Sequence, residues 1–405
     1  MLRHTSPSLT LARRLALRVA AVLVALAVTM PAAARAVNDT VVSLVTFFPG
    51  HDIYELEGHT ALRITTPDVD DAVSYGMFDF NSPNFVYRFV KGETDYSVGA
   101  IPWPYFINAY TRDGRRVVEQ QLDLTSAQKQ RLMKLLEENL APANRVYRYN
   151  YVKDNCATRP LAIVERALGD TIALTDATDP RVAGAQTFRT VMRRYHENYP
   201  WYQFGIDLAL GSALDAPITV RDKAFAPIVL CQQMQGATVG GKPIVARTIV
   251  DNDTDDFAAV DSPTPWFLTP LFLAWILLIA TAALCFSSIR RRKFPRVFAT
   301  VMFAVNGIAG LVIAFLVFVS VHEATSPNWL MLWLNPLCLL PCVSMWIGKT
   351  NVVTRVYFAL NAIATTACAI YLSCGPCDAN PAFYPLILAD IIVSISYILF
   401  TKTRE

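Results

Sequence analysis

Long apolar stretches dominate the last third of the chain, and five of them are each close to the length needed to cross a bilayer. They run over Trp266–Phe286, Val297–Ser320, Trp329–Ile347, Val356–Leu372 and Pro385–Phe400. The segments that follow the first, third and fifth stretches carry nine Lys and Arg residues, whereas the other two connectors carry none. Because basic connectors stay in the cytoplasm, we predict an all-α transmembrane bundle of five helices over residues 263–405, with a cytoplasmic C-terminus.

The first 36 residues have the three-part order of a secretory signal peptide. Arg13, Arg14 and Arg18 precede the apolar run Val19–Met30, and the small-residue segment 34–36 follows. Cleavage after this segment is favoured over an uncleaved N-terminal anchor, which would raise the number of spans to six. In either case we predict that residues 37–262 form an exported domain facing the periplasm.

Within residues 37–262, short strand-like runs come first and helical patterns follow. The predicted strands are Val41–Phe48, His59–Thr65 and Ala72–Phe80, with a hairpin over Ala237–Val250. Thr125 and Gln128 form a capping-box pair ahead of one helix. A second helix is predicted to begin near residues 155–160 and to end at Leu168, with Gly169 as its stop signal. This order predicts an α+β domain rather than an alternating βαβ fold.

Composition and charge narrow the possible functions. Hydrophobic residues make up 53% of the 405 and charged residues 17%, which is too apolar for a disordered protein. Residues 37–262 carry 22 basic and 29 acidic residues, so nucleic acid is not an expected partner. The acidic run from Asp251 resembles a calcium loop, but Asp256 replaces the required Gly and Ser262 the required Glu. We therefore predict a solvated linker and no metal site.

Cys156 lies at the predicted start of the second helix. Unpaired N–H groups and the helix dipole at such a position favour a thiolate, which is the nucleophile that acyl transfer needs. The same N–H groups, with Asn155, are predicted to hold the oxyanion of a tetrahedral intermediate. His59, on the strand that follows Gly58, is the predicted base. A strand His beside a helix-start Cys is the papain-like arrangement, here with the order of the two residues permuted.

Spacing alone leaves two alternative roles open for the cysteines. Cys156 and Cys231 are both in the exported region and could form a disulfide in an oxidising compartment. Cys374 and Cys377 have the C-x-x-C spacing of redox motifs. Because they lie in a loop between predicted spans without a βαβ context, a loop disulfide is favoured over a redox function.

Several runs of residues together resemble one family. They are Gly58–Arg63, Tyr75–Phe80, Asn84-Phe85 with Phe89–Gly92, Asp154–Arg159, His322 and Asn328–Pro336. The chain is similar over most of its length to the Lnb-type bacterial membrane proteins with an N-terminal periplasmic domain. The resemblance implies a permuted papain-like, NlpC/P60-related α+β thiol domain followed by the membrane bundle. It also implies lipoprotein N-acyltransferase activity, which moves an acyl chain from a phospholipid to the α-amine of a lipoprotein's diacylglyceryl-cysteine.

The resemblance makes Cys156 the nucleophile and His59 the base of a ping-pong transfer through a thioester. The expected partners are a phospholipid acyl donor, a lipoprotein acceptor and the bilayer, and no metal or other cofactor is needed. A third polar group usually orients such a base. We expect Asp79 or Tyr75, on the next predicted strand, to do so.

Arg63, Arg159 and His322 are the candidate substrate-binding residues. The two arginines are expected to meet phosphate oxygens, unless they form ordinary surface salt bridges. His322 and Glu323 lie in an outer loop, where they either form an interfacial turn or line a lipid-facing site. The alternative functions are an anchored periplasmic cysteine peptidase or amidase, a phospholipid hydrolase, a non-enzymatic scaffold and a thiol–disulfide exchange protein.

Overall fold

The computed structural model describes residues 39–251, 263–291, 293–347, 352–375 and 378–402. The predicted signal peptide, nearly all of the acidic linker and Cys377 lie outside the described residues.

Seven antiparallel strands form the main sheet, in the order β6-β4-β3-β2-β1-β5-β9. The strands are β1 (Val41–Phe47), β2 (His59–Thr65), β3 (Asp70–Met77), β4 (Asp95–Pro102), β5 (Val117–Leu122), β6 (Val146–Arg148) and β9 (Val245–Asp251). The short pair β7 (Thr238–Val239) and β8 (Lys242–Pro243) forms a hairpin around Gly240 and Gly241. The predicted strands and hairpin are confirmed, and the wholly antiparallel sheet fits an α+β arrangement rather than a βαβ one.

The helices of the N-terminal domain connect and cover this sheet. They are α1 (Phe85–Lys91), α2 (Trp103–Thr111), α3 (Ser126–Leu140), α4 (Thr158–Leu168), α5 (Pro180–Ala183), α6 (Phe188–His196), α7 (Pro200–Ala209) and α8 (Pro227–Gln235). Both predicted helix signals are confirmed. Thr125 and Gln128 form a reciprocal capping box at the start of α3. Gly169 ends α4 with a φ of 74°, a left-handed conformation that glycine adopts without steric cost.

Side chains alternate between the two faces of the sheet, and each face has its own core. On one face, Leu62 and Tyr75 are fully buried in a cluster that includes Leu161 of α4. On the other face, Phe47 and Trp103 pack in a cluster against α2. The two clusters hold α4 and α2 on opposite sides of the central strands β2 and β3. The start of α4 and the end of α2 both lie near the start of β2.

Four helices among the described residues are long and apolar enough to cross a membrane. They are α9 (Pro270–Arg291), α10 (Arg296–Phe318), α12 (Val352–Cys374) and α13 (Phe383–Lys402). The third predicted span is not one continuous long helix. It consists of short 3₁₀ turns at Trp329–Leu332 and Pro336–Leu339, followed by α11 (Leu340–Ser344). The presence of five transmembrane helices therefore stays a prediction.

Two prolines explain why this third stretch is broken. Pro336 begins the second 3₁₀ turn and Pro341 lies in the first turn of α11, since proline has no N–H to continue a preceding turn. The Asn335 side chain caps the second segment by accepting from Leu337 N–H. The broken stretch packs closely on α10, because a Cβ at Gly310 would lie only 2.4 Å from the backbone of Asn335.

The N-terminal domain docks on one end of the helical bundle. Asn380, in the connector from α12 to α13, donates to Asp207 of α7 over 2.9 Å. Trp201 donates through Nε1 to Leu268 O, just before α9, over 2.9 Å. The basic connector that begins at Arg290 joins the far ends of α9 and α10. The soluble domain and this basic connector therefore lie at opposite ends of the bundle.

Candidate active site

A cavity of about 520 Å³ lies where the start of β2, the start of α4 and the end of α2 approach one another. It brings Cys156 and His59, the two residues predicted to carry the chemistry, to one place. Its other polar lining residues include Glu57, Ser74, Arg115, Tyr149, Tyr151, His196 and Tyr202. Its apolar lining includes Ile53, Leu56, Met77, Phe78, Phe80, Phe89 and Phe106.

Cys156 is buried, and its sulfur is a free thiol, so the alternative disulfide with Cys231 is not formed. The sulfur accepts hydrogen bonds from the backbone N–H of Thr60 and the hydroxyl of Tyr149. Burial nevertheless dominates and raises the pKa of Cys156 to about 11. Burial therefore opposes the thiolate that the helix start is expected to favour, and thiolate formation at this site stays a prediction. A base must remove the thiol proton during the reaction.

Asn155 holds the turn that presents Cys156. Its Oδ1 accepts from the N–H groups of Ala157 and Thr158, at 2.9 and 3.0 Å. Its Nδ2 donates to the carbonyl oxygens of Tyr151 and Phe225, each at 2.8 Å. Because both amide hydrogens are committed, Asn155 cannot also donate to an oxyanion. The structure corrects its predicted role from oxyanion donor to helix cap.

His59 is half-buried and lies one residue before the N–H group that contacts the Cys156 sulfur. Its Nε2 is 2.9 Å from the hydroxyl of Ser74 on the neighbouring strand. Its ring stacks on Tyr110, with centroids 6.2 Å apart and planes 8° apart. Burial, followed by the charge of Arg115, lowers the pKa of His59 to about 4. The resting pair is therefore a neutral imidazole and a neutral thiol.

The group beside His59 is neither of those expected. Tyr75 points to the opposite face of β3, where it is fully buried in the core. Asp79 is exposed in the loop after β3, where its Oδ1 accepts from Asn81 N–H. Successive residues of a strand point to opposite faces of the sheet. Ser74, which precedes Tyr75 by one residue, therefore points to the face on which His59 lies.

An aromatic lip, defined as Tyr54, Phe78, Phe80, Phe85 and Phe89, borders the cavity. Successive rings along it lie 4.6 to 5.8 Å apart. Tyr54, Phe80 and Phe89 are about half exposed. Exposed apolar surface of this kind on an otherwise folded domain indicates a site for an apolar ligand or a membrane.

Helix α1 connects this lip to the membrane bundle. None of its residues is buried within the protein. The residues that follow α10 bind its backbone: Ser320 Oγ donates to Val90 O and Val321 N donates to Lys91 O, each at 2.9 Å. The Tyr87 ring lies 6.0 Å from that of Phe315, in the last turn of α10. The entrance to the Cys156 cavity therefore lies at the C-terminal end of α10.

Comparison with known protein families gives two matches that follow the two parts of this architecture. Residues 30–194 match the Lnb N-terminal periplasmic domain, and residues 262–405 match the Lnb transmembrane domain. The chain belongs to the Lnb family. Searches of curated proteins and of solved structures gave no significant match.

Membership of the Lnb family indicates an enzyme of lipoprotein maturation. A periplasmic N-terminal domain joined to a multi-span domain indicates an inner-membrane protein. These matches do not identify Cys156 as a nucleophile, His59 as a base or acyl transfer as the reaction.

The three predicted substrate-binding residues of this Lnb protein all have protein partners. Arg63 pairs with Asp70 at 2.7 Å, and Arg159 forms a two-point pair with Asp154 at 2.5 and 2.7 Å. These contacts agree with the salt-bridge alternative for both arginines. His322 Nε2 is 2.8 Å from Phe89 O, so His322 holds α1 against the membrane bundle. A direct role of any of the three in substrate binding stays a prediction.

Several cavity residues of this Lnb protein were missed by sequence reasoning. Glu57 and His196 are buried there with the Oε1 and Nε2 atoms 3.8 Å apart, and Tyr149 donates to the Cys156 sulfur. For Glu57 and Tyr149 the one local signal was position in the chain. Glu57 precedes His59 by two residues, and Tyr149 belongs to the run that leads to Cys156. No local signal marked His196, which reaches the cavity only through the packing of α6.

Proposed function

We propose that this Lnb-family protein is a lipoprotein N-acyltransferase with a permuted papain-like thiol domain. The proposal keeps the division into a signal segment (residues 1–36), a periplasmic domain (37–262) and a membrane domain (263–405). The observation that carries it is the position of the Cys156 cavity: its aromatic lip leads through α1 to the outer end of α10. Both proposed substrates, a phospholipid and a diacylglyceryl-lipoprotein, are held in a membrane leaflet.

In the first half-reaction the thiol attacks the ester carbonyl of the phospholipid. Ser74 engages Nε2 of His59, which leaves Nδ1 to take the proton from Cys156. As negative charge moves from sulfur to the carbonyl oxygen, the N–H of Thr60 and the hydroxyl of Tyr149 can shift their hydrogen bonds from the sulfur to that oxygen. His59 then returns the proton to the leaving oxygen. Lysophospholipid departs, and the acyl chain remains on Cys156 as a thioester.

In the second half-reaction the uncharged α-amine of the lipoprotein attacks this thioester. His59 takes a proton from the attacking nitrogen and delivers it to the departing sulfur of Cys156. The product is an amide, and the free thiol is restored. Apolar side chains around the cavity support transfer to an amine over hydrolysis, since they restrict water around the thioester.

The charge pattern supports a periplasmic active site. The soluble domain docks at the end of the bundle remote from the basic connector at Arg290. By the positive-inside rule that connector lies in the cytoplasm. We therefore propose that the cavity opens at the periplasmic leaflet of the inner membrane and that the C-terminus is cytoplasmic.

The test is the lipid content of a lipoprotein N-terminus. A bacterium that lacks its own N-acyltransferase would express the wild type, Cys156→Ala or Cys374→Ser, with equal amounts verified by blotting. Mass spectrometry of the N-terminal lipopeptide would show a third acyl chain, on the α-amine, with the wild type and Cys374→Ser only. An unchanged diacyl lipopeptide with wild type would refute N-acylation. Loss of the third chain in Cys374→Ser with full transfer by Cys156→Ala would favour thiol–disulfide chemistry instead.

A further inference from the structure

Glu57 is a buried carboxyl group that the mechanism above does not use. Only 9% of the residue is exposed, yet it lines the same cavity as Cys156. Its Oε1 has no hydrogen-bond partner. Leaving a buried carboxylate oxygen unpaired costs free energy. A cavity-facing group that keeps such an oxygen is therefore a candidate for binding a polar group of the substrate.

The surroundings of Glu57 suit a cation. His196, which is 1% exposed, lies with Nε2 3.8 Å from Oε1, and its ring contacts Tyr202 with centroids 4.8 Å apart. The hydroxyl of Tyr151 donates to the carboxyl group. With the Cys156 thiol, these are the titratable groups that face Glu57 among the described residues, and none of them carries a positive charge at neutral pH in this site. Arg115, which lines the same cavity, pairs with Glu55 at 2.7 Å. Burial lowers the pKa of His196 to about 4 and raises that of Glu57 to about 7.

The α-amino group of the acceptor must lose two protons during transfer, and in the proposed mechanism His59 takes only one of them. An α-amino group has a pKa of about 7.7–8.0, so it arrives mainly as an ammonium ion. It must lose one proton before it can attack, and a second when the tetrahedral intermediate collapses. His59 handles the second proton. A base within the cavity would allow the bound ammonium ion to lose the first one there.

We propose that Glu57 is the acceptor-amine site: its carboxylate binds the lipoprotein's α-ammonium group and takes its first proton. This inference rests on the proposed N-acyltransferase function. The proton passes from nitrogen to the Glu57 carboxylate, which leaves a neutral amine. The amine forms the C–N bond, the C–S bond to Cys156 breaks, and His59 moves the second proton from nitrogen to sulfur. The three hydrogens of the ammonium group end on the amide, the thiol and the Glu57 carboxyl group, which returns its proton to water.

The experiment separates the two half-reactions in the purified full-length protein. The wild type, Glu57→Gln and the control Glu165→Gln would be incubated with phospholipid vesicles, and thioester on Cys156 would be measured by intact-protein mass. The acylated proteins would then receive either a synthetic diacylated lipopeptide or hydroxylamine, which is already uncharged at neutral pH. Glu165 makes its contacts with Ile172 and Arg221, outside the cavity, so its variant has the same chemical change without a predicted effect.

Glu57→Gln is expected to form the thioester and to react with hydroxylamine as the wild type does. Its transfer to the lipopeptide should be at least tenfold slower, because positioned general bases contribute about 10²–10⁴-fold. Transfer at the wild-type rate would overturn the proposal. Equal losses in thioester formation and in both release reactions would also overturn it, since they indicate a structural role.

The wild type supplies a second test that does not depend on the variant's folding. Its rate with the lipopeptide, divided by its rate with hydroxylamine, should rise with pH through about 7, where Glu57 becomes a carboxylate. A ratio that rises only through the amine's own pKa, about 8, would contradict the proposal. Absence of any thioester in the wild type would refute the proposed function itself, and Glu57 as its acceptor site with it.

Discussion

Replacing Asn155 with alanine tests how the turn that carries Cys156, the proposed nucleophile, is held. The substitution removes the acceptor that caps the two N–H groups at the start of α4. It also leaves the carbonyl oxygens of Tyr151 and Phe225 without the Nδ2 donor that each contacts at 2.8 Å. Asn155 is 3% exposed, so water does not readily replace these bonds.

The magnitude follows from these contacts. Loss of a helix cap costs about 1 kcal/mol. Each buried carbonyl left unpaired costs about 1–3 kcal/mol. Together they predict a destabilisation of about 3–7 kcal/mol, or a fall of at least roughly 6 °C in melting temperature for a domain of this size.

Thermal unfolding of the detergent-solubilised protein, followed by tryptophan fluorescence, measures this effect. Asn155→Ser retains a capping oxygen and should recover about 1 kcal/mol of the loss. Asn144→Ala, which removes one exposed side-chain bond to Glu138 O, is a control expected to change the melting temperature little. If Asn155→Ala melted within about 2 °C of the wild type but lost acyl transfer about a hundredfold, Asn155 would be an oxyanion donor, contrary to our reasoning.

Three further outcomes are expected. Ser74→Ala removes the bond to the His59 imidazole and should slow thioester formation about tenfold in single-turnover assays, the equivalent of one hydrogen bond; an unchanged rate would contradict the proposed orientation of His59. With a pKa of about 11, Cys156 should react with iodoacetamide increasingly fast as pH rises from 7 to 10, whereas a plateau at pH 7 would reveal a preformed ion pair. Gly76→Ala places a Cβ 3.2 Å from the Tyr149 ring and 3.6 Å from Cys156 Cβ, so it should lower activity more than Gly169→Ala, which has the same backbone strain in open space.

Local signals in the sequence were sufficient for much of the fold. The Thr125 capping box, the Gly169 stop and the strand His59–Thr65 each depend on a few adjacent residues, so each could be predicted without tertiary structure. The break in the third apolar stretch was equally local, because Pro336 and Pro341 lie within it. Apolar length alone had predicted a continuous span there.

The sequence predicted only those site residues whose own side-chain chemistry singles them out. Cys156 and His59 do line one cavity, but the group beside His59 depends on the register of two strands. Ala61 pairs with Ser74 across β2 and β3. A one-residue difference in that register exchanges Ser74 for Tyr75. The thiol's pKa likewise depends on burial, which only the packed structure reveals.

The most direct test of the proposed ping-pong transfer follows one acyl chain through the protein. Wild-type protein would be incubated with vesicles containing a phospholipid with an isotope-labelled acyl chain and then given unlabelled phospholipid and a diacylated lipopeptide. In the proposed ping-pong transfer the label appears first on the peptide containing Cys156, as a hydroxylamine-sensitive thioester, and then on the lipopeptide's α-amine. Label that reaches the amine without passing through Cys156, or equally fast with Cys156→Ala, would contradict it.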